Sequence, residues 1–382
     1  MRGKKKDAET YKDTDSIEEI QYYSLDQILK KKAQYNVIFG ERSNGKSYSV
    51  LLHALKIYVK TGKQLAIVRR FDNDIKMGKA DSFYDAIVAN GEIEKITHGK
   101  YTHVRYWQRR FYLAYHDENL DKDVRDNRPF AYTFAVNTAS QYKSTSYPDI
   151  TTICFDEFLE RQYYLPDEFP QFMNIVSTIV RQRNDVTIFM LGNTVNKHCP
   201  YFTEMGLSNI QNMRQGAIEV YKYGNTNLRV AVEYCSNLNK NKPSDVYFAF
   251  NNPKLQMITG GVWEMAMYPH CPTKYLPKQV VLDFFIDYDG NLLHAECVDT
   301  GADSFIFIHR KTTPIQDNDT DIIYSLDYSP KPNHVRRINR PVNKWQRMIF
   351  QYFVEDRVFY QDNEVGEIVR NYLMASSSDK IR

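Results

Sequence analysis

The sequence holds few cysteines, and their spacing pairs none of them. Cys154, Cys199, Cys235, Cys271 and Cys297 are scattered, odd in number and form no CxxC. A disulfide framework and a Cys-ligated zinc site are thereby disfavoured, and a reducing compartment is expected. Long apolar runs are missing too. No window reaches the ~18 uninterrupted apolar residues of a spanning helix. The charged start, Met1 to Lys6, leads into acidic and polar residues rather than a signal-peptide core. A soluble, intracellular protein with no membrane role is expected. A charge surplus is absent as well. The 50 Lys and Arg nearly balance the 47 Asp and Glu, leaving a formal +3. A uniformly basic nucleic-acid coat is excluded, and any polyanion must be held by local patches. No internal repeat is visible.

What is present is enough material for two globular domains. The chain has 382 residues, 42% hydrophobic and 25% charged, where a domain usually takes ~100–200 residues. The first 20 residues are polar and expected to be flexible. From Gln34 the pattern alternates apolar runs with amphipathic stretches. Strands are expected at 35–39, 64–68, 104–106, 111–115, 131–136, 150–155 and 186–191. Helices are expected at 47–60, 83–88 and 168–181. Buried strands alternating with helices imply a mostly parallel sheet between helical layers. The pattern changes after Leu238, where Asn, Lys and Pro dominate. Residues 21–240 are therefore read as a first α/β domain and 241–275 as a linker. Residues 276–382 are read as a smaller second α/β domain, with a strand meander at 280–310 and helices near 344–355 and 364–373.

The first domain carries a phosphate-binding signature. Gly40-Glu41-Arg42-Ser43-Asn44-Gly45-Lys46-Ser47 fits G-x-x-x-x-G-K-[ST] at every fixed position, after an apolar strand and before an amphipathic helix. Backbone N–H groups of such a loop wrap phosphate, and the helix N-terminus adds partial positive charge. Lys46 reaches the β- and γ-phosphates, and the Ser47 hydroxyl ligates Mg²⁺. The expected ligand is thus ATP with Mg²⁺. Downstream, the apolar strand Ile153-Cys154-Phe155 ends in Asp156-Glu157, the Walker B form. Asp156 then holds Mg²⁺, and Glu157 orients and deprotonates the attacking water. The strand at 186–191 ends in Gly192-Asn193-Thr194. Asn193 there fits a γ-phosphate sensor as well as it fits a plain turn. Arg42 within the loop fits a cis sensor or a solvent-facing side chain, and Arg69 and Arg70 suit subunit interfaces or coupling to DNA.

Several of these residues together carry a family resemblance. They are Gly40–Ser47, Val68-Arg69-Arg70, Lys143-Ser144 followed by Tyr147-Pro148, Phe155–Phe158, Arg181-Gln182-Arg183, and Asn193 with Pro200-Tyr201-Phe202. The chain resembles the genome-packaging ATPases of small protein-primed podoviruses, the group typified by Bacillus phage phi-29. These are ASCE-type P-loop motors related to the large terminases. The resemblance covers residues 20–205 well and the rest weakly. It implies a homo-oligomeric ring, usually a pentamer, at the portal of a prohead in the host cytoplasm. The ring would use ATP to drive double-stranded DNA inward, in some cases with a structural packaging RNA. By the family's pattern Arg181 stands where a trans-acting arginine finger is expected, with Arg183 the near alternative. Lys143 matches a second trans-acting basic residue.

Large terminases carry an RNase H-like nuclease domain, and a meander followed by helices fits that fold here. Asp283, Asp287, Asp289, Asp299 and Asp327 offer carboxylates, yet no set of them reads as a two-metal site. A vestigial nuclease fold used for docking is expected. The strongest basic run contains Lys331, Arg336, Arg337, Arg340, Lys344 and Arg347 without an acidic residue. It suits a phosphate backbone, on duplex DNA or RNA, as well as a solvated face. Lys240, Lys242 and Lys254 are weaker candidates. The alternatives to a translocase are a P-loop enzyme that moves no DNA and a terminase-like protein with an active nuclease.

Overall fold

The computed structural model describes residues 23–143, 145–160, 164–194, 199–236, 266–316 and 319–378. The expected flexible N-terminus, most of the 241–275 linker, Ser144 and the three weaker lysines lie outside the described residues. Ten strands of the described residues form the first sheet: β1 (Tyr35–Gly40), β2 (Gln64–Arg69), β3 (His103–Trp107), β4 (Arg110–Asp117), β5 (Lys122–Arg125), β6 (Ala131–Ala135), β7 (Ile150–Asp156), β8 (Thr187–Asn193), β9 (Ile218–Lys222) and β10 (Arg229–Tyr234). Their order is β3-β4-β6-β2-β7-β8-β1-β10-β9, with β5 on β4. The six central strands, β6 to β10 in that order, are mutually parallel. The antiparallel strands are confined to the two edges.

Both faces of the central strands are buried, which is why they read as continuous apolar runs instead of alternating ones. Phe155, Ile153 and Met190 pack to one side with Phe172, Ile175 and Ile179 of helix α5 (Glu168–Val180). Cys154, Phe189 and Leu191 pack to the other side with Val50, Leu51, Ala54 and Leu55 of α2 (Lys46–Thr61). Short helices α1 (Asp26–Leu29), α3 (Asp85–Ala89), α4 (Glu92–Thr97) and α6 (Pro200–Glu204) complete this lobe. The expected helix at 83–88 is a 3₁₀ turn over Ala80–Tyr84 running into α3.

The second sheet has the order β15-β14-β11-β12-β13-β16. Its centre is an antiparallel meander of β11 (Val280–Tyr288), β12 (Asn291–Asp299) and β13 (Ser304–Arg310). β14 (Ile322–Ser325), β15 (His334–Val335) and β16 (Val358–Tyr360) add in parallel at the flanks. One face packs Phe284, Ile286, Leu293, Ala295, Ile306 and Ile308 with α7 (Lys344–Val354) and α8 (Asn363–Ser378), through Ile349, Val365, Ile368, Val369 and Tyr372. Among the described residues no helix is long and apolar enough to cross a membrane.

Candidate active site

In a parallel sheet, ligands bind in the crevice beyond the carboxyl ends of the strands. Here β1, β8 and β7 lie side by side, so the loops after Gly40, Asn193 and Asp156 converge. They enclose a cleft of about 450 Å³ lined by Arg42–Tyr48, Asp156, Glu157 and Leu191–Asn193. The glycines are used for their backbones. A Cβ on Gly40 would stand 2.9 Å from the Cβ of Cys235 on the neighbouring chain segment. Gly45 turns into α2 at φ +88°, a conformation that costs glycine little.

The sequence-predicted side chains meet in this cleft. Lys46 is buried, and its ammonium donates to the Glu41 carbonyl at 2.6 Å and to Asn44 Oδ1 at 3.1 Å. A third partner is Asn193 Oδ1 at 3.4 Å, which ties the strand-tip asparagine to the loop. Burial pushes the lysine's pKa down, opposed by Cys235, Asp156 and Glu41. Burial also pushes the Glu41 carboxyl up. Ser47 Oγ donates to Asp156 Oδ1 at 2.9 Å across 109 residues of chain. A hydroxyl and a carboxylate at one point are the hard oxygen donors that Mg²⁺ takes alongside phosphate, so the residues present fit that ion. Arg42 and Ser43 are exposed at the mouth.

Arg69 and Arg70 stand elsewhere than their expected interface or DNA role would put them. Arg69 Nη1 donates to Asp156 Oδ2 at 2.8 Å, and Nη2 donates to Glu157 Oε2. One guanidinium thus joins both Walker B carboxylates. Arg70 is buried and pairs through Nε with both oxygens of Glu168, at 2.9 and 3.0 Å. Its other nitrogens donate to the backbone carbonyls of Glu157 at 3.1 Å and Phe158 at 2.6 Å. Glu168 also accepts from Tyr201 Oη at 2.9 Å and from the Leu165 N–H at 2.7 Å. This network fixes the segment after β7, where Glu157 adopts φ +60°. Left-handed backbone at a non-glycine residue persists only where its surroundings impose it.

Sequence reasoning passed over Glu168. The available signal was an acid on the buried face of an amphipathic helix, where an unpaired charge is not tolerated. Glu168→Ala strands the Arg70 guanidinium in the interior. Removing one partner of a buried pair costs ~3–5 kcal/mol, so the variant should unfold at markedly lower temperature or denaturant. Calorimetry checks this, and a midpoint unchanged within a degree or two would show that Arg70 finds another partner.

The remaining basic candidates lie apart from the cleft. Arg181 follows α5 at φ +50°, is exposed, and donates to the Thr145 carbonyl at 3.1 Å. Thr145 lies two residues after Lys143, itself exposed, so both lie at the edge where β7 begins. Arg183 instead donates to four backbone carbonyls, those of Tyr147, Pro148, Ile150 and Ile179. It braces that edge. In the second lobe Lys331 pairs with Asp319 at 2.8 Å. Arg336, Arg340, Lys344 and Arg347 are exposed and Arg337 is half-buried, along β15 and the start of α7. Arg336 also lines a cleft of about 580 Å³ shared with Asp287 and Asp327 of the second lobe and Asp167 and Glu204 of the first. Asp287 stands opposite Ser325 on β14, and its carboxyl is pushed up by burial and by Asp327. The other acids serve elsewhere: Asp283 faces His294, Asp289 accepts from Thr203, and Asp299 caps the Gly301 N–H.

A family model described as "Podovirus DNA encapsidation protein (Gp16)" matches residues 17–242. The chain is 25% identical over 185 residues to the DNA packaging protein of Bacillus phage phi29, covering 47% of this chain and 49% of the relative. It is 27% identical over 187 residues to that of Bacillus phage B103, covering 48% and 50%. The match spans about half the length of these curated relatives. Among solved structures it is similar in fold to a chain of the bacteriophage Phi-29 viral genome packaging motor assembly. That similarity has a TM-score of 0.55 and 18% identity, covering 92% of this chain and 97% of that one. With the model matching more than half of its length, this chain belongs to the podovirus DNA encapsidation protein (Gp16) family.

Proposed function

We propose that the chain is the ATPase of a viral DNA-packaging motor, acting as a homo-oligomeric ring, a pentamer by the family's pattern. It would hydrolyse ATP to drive double-stranded DNA through the portal into a prohead. The observation that carries the reading is the meeting of Ser47 and Asp156 at 2.9 Å with Glu157 and Asn193 beside the P-loop. The P-loop amides and Lys46 bind and orient the β- and γ-phosphates. Ser47 and Asp156 would hold Mg²⁺, which would supply positive charge against that developing on the phosphate oxygens. Glu157 takes the proton from the attacking water. Asn193, bonded to Lys46, reads the state of the γ-phosphate. Arg181 and Lys143 serve the neighbouring subunit's site. The exposed part of the basic run from Arg336 to Arg347 lies against nucleic acid, either the DNA or a packaging RNA, and the second lobe docks the motor without cutting.

Double-stranded DNA should stimulate hydrolysis by the assembled protein. A hydrolysis rate indifferent to DNA would favour a P-loop enzyme that moves none. Lys46→Ala removes the only buried ammonium described in the cleft. It should weaken ATP binding by more than tenfold, one charge-assisted bond being worth about 1.5–3 kcal/mol. Fluorescent-nucleotide titration checks this, and unchanged affinity would refute the assignment of Lys46.

A further inference from the structure

The face of the second sheet opposite its helices carries a cluster that nucleotide chemistry does not use. His294 and Glu296 alternate with buried core residues along β12, so both project from this face. In register, His309 of β13 stands across from His294, and Asp283 of β11 stands across from Glu296. One ligand atom from each of His294, Glu296 and His309 lies within 4.8 Å of the other two. His309 Nε2 is 3.3 Å from Glu296 Oε2. A tetrahedral site with bonds of ~2.0–2.1 Å has ligand–ligand edges of ~3.3–3.4 Å.

The surrounding contacts have the form that metal ligands need. His309 Nδ1 faces the Arg310 carbonyl at 3.1 Å. With Nδ1 set against that carbonyl, Nε2 on the Glu296 side is the ring nitrogen left for a cation, which would take the place of the proton that joins His309 to Glu296. Asp283 Oδ1 lies 3.1 Å from His294 Nε2 and holds that ring. Tyr275 donates its hydroxyl to Glu296 Oε2. The three groups sit on adjacent strands, so no loop must move to assemble them. An ordinary ion pair between Glu296 and His309 accounts for two of the groups. His294 is held by Asp283 and by stacking on Phe285 at 5.0 Å, which leaves its ring 4.9 Å from that of His309 and beside the pair. Two imidazoles with one carboxylate suit a borderline divalent cation, whereas Mg²⁺ and Ca²⁺ prefer all-oxygen sets.

We propose that His294, Glu296 and His309 bind one Zn²⁺ per chain, with Asp283 orienting the His294 ring and water as the fourth ligand. The ion would clamp β12 to β13 and, through Tyr275, hold the segment preceding β11 on the sheet. The test uses full-length protein stripped with a chelator and titrated with ZnCl₂ in excess MgCl₂, which competes at the Ser47–Asp156 oxygens. One saturable Zn²⁺ per chain is expected, with the unfolding midpoint rising by about 4 °C or more. Glu296→Gln and the double substitution His294→Ala/His309→Ala should each weaken binding at least tenfold. The near-isosteric Glu296→Gln keeps the test valid if the double variant folds poorly. Co²⁺ should give the visible band of a tetrahedral nitrogen–oxygen site without thiolate charge transfer. No saturable binding, binding unchanged by Glu296→Gln in folded protein, or a thiolate band would each overturn the proposal.

Discussion

A Glu157→Gln chain should bind ATP and stop there. Glutamine matches glutamate in shape but cannot take a proton from water, and loss of a general base typically costs ~10²–10⁴ in rate. The substitution should leave the site otherwise intact. Ser47 and Asp156 keep their 2.9 Å contact, which does not involve residue 157. The unusual backbone at 157 is held through its carbonyl by Arg70, and the next N–H donates to the Leu191 carbonyl at 3.1 Å. Neither bond depends on the side chain. Arg69 retains Asp156 as partner and can still donate to the glutamine oxygen. Single-turnover hydrolysis and nucleotide retention on the same sample separate binding from chemistry. Retained ATP with a rate reduced at least a hundredfold is the expected pair. Hydrolysis near the unsubstituted rate would move the base elsewhere.

How much of this was legible in the sequence depended on whether partners lie near each other in the chain. The phosphate loop was legible because its physics is local: a strand, glycines for a tight turn, then Lys46 and Ser47 on the first turn of a helix. Asp156 and Glu157 were legible because an acidic pair ending an apolar run has few other uses beside a P-loop. The strands at 150–156 and 187–193 were legible because burial on both faces leaves an unbroken apolar run. The Arg70–Glu168 pair was not legible, because its members stand 98 residues apart and meet only after β2, β7 and α5 assemble. Arg69 was misjudged for the same reason: a basic pair ending a strand looks like a surface feature until the neighbouring strand supplies carboxylates. β10 escaped notice although it pairs with β1. Its Glu233 breaks the apolar run and is explained by a hydroxyl 210 residues away, on Tyr23. β14 to β16 span only two to four residues each, too few to show a period.

Arg181→Ala should reduce kcat about 10³–10⁵-fold, the range of an arginine finger, with little change in ATP affinity. The interaction is made mainly as charge develops on the transferring phosphate, so KM should move less than kcat. The polarity of the lobe argues for action in trans. α5 begins beside the Walker B segment, where Glu168 meets Arg70, and runs 13 residues away from it. At 1.5 Å per residue that is about 20 Å. Arg181 therefore stands by the start of β7, at the edge opposite its own phosphate loop, with Lys143 close by in sequence to its partner Thr145. No rotamer spans that distance, so a catalytic role requires the cleft of another subunit. Arg183 stands at the same edge but is committed to four carbonyls there, so its loss should lower stability more than it lowers kcat. Mixing distinguishes the cases. In the proposed ring, mixtures of Arg181→Ala and Lys46→Ala subunits would contain some interfaces that join an intact phosphate loop to an intact arginine. Those rings should regain hydrolysis that neither variant shows alone. Mixed rings of verified assembly that stay silent would exclude Arg181 as the residue completing a neighbour's site, and Lys143 would become the candidate to test in the same way.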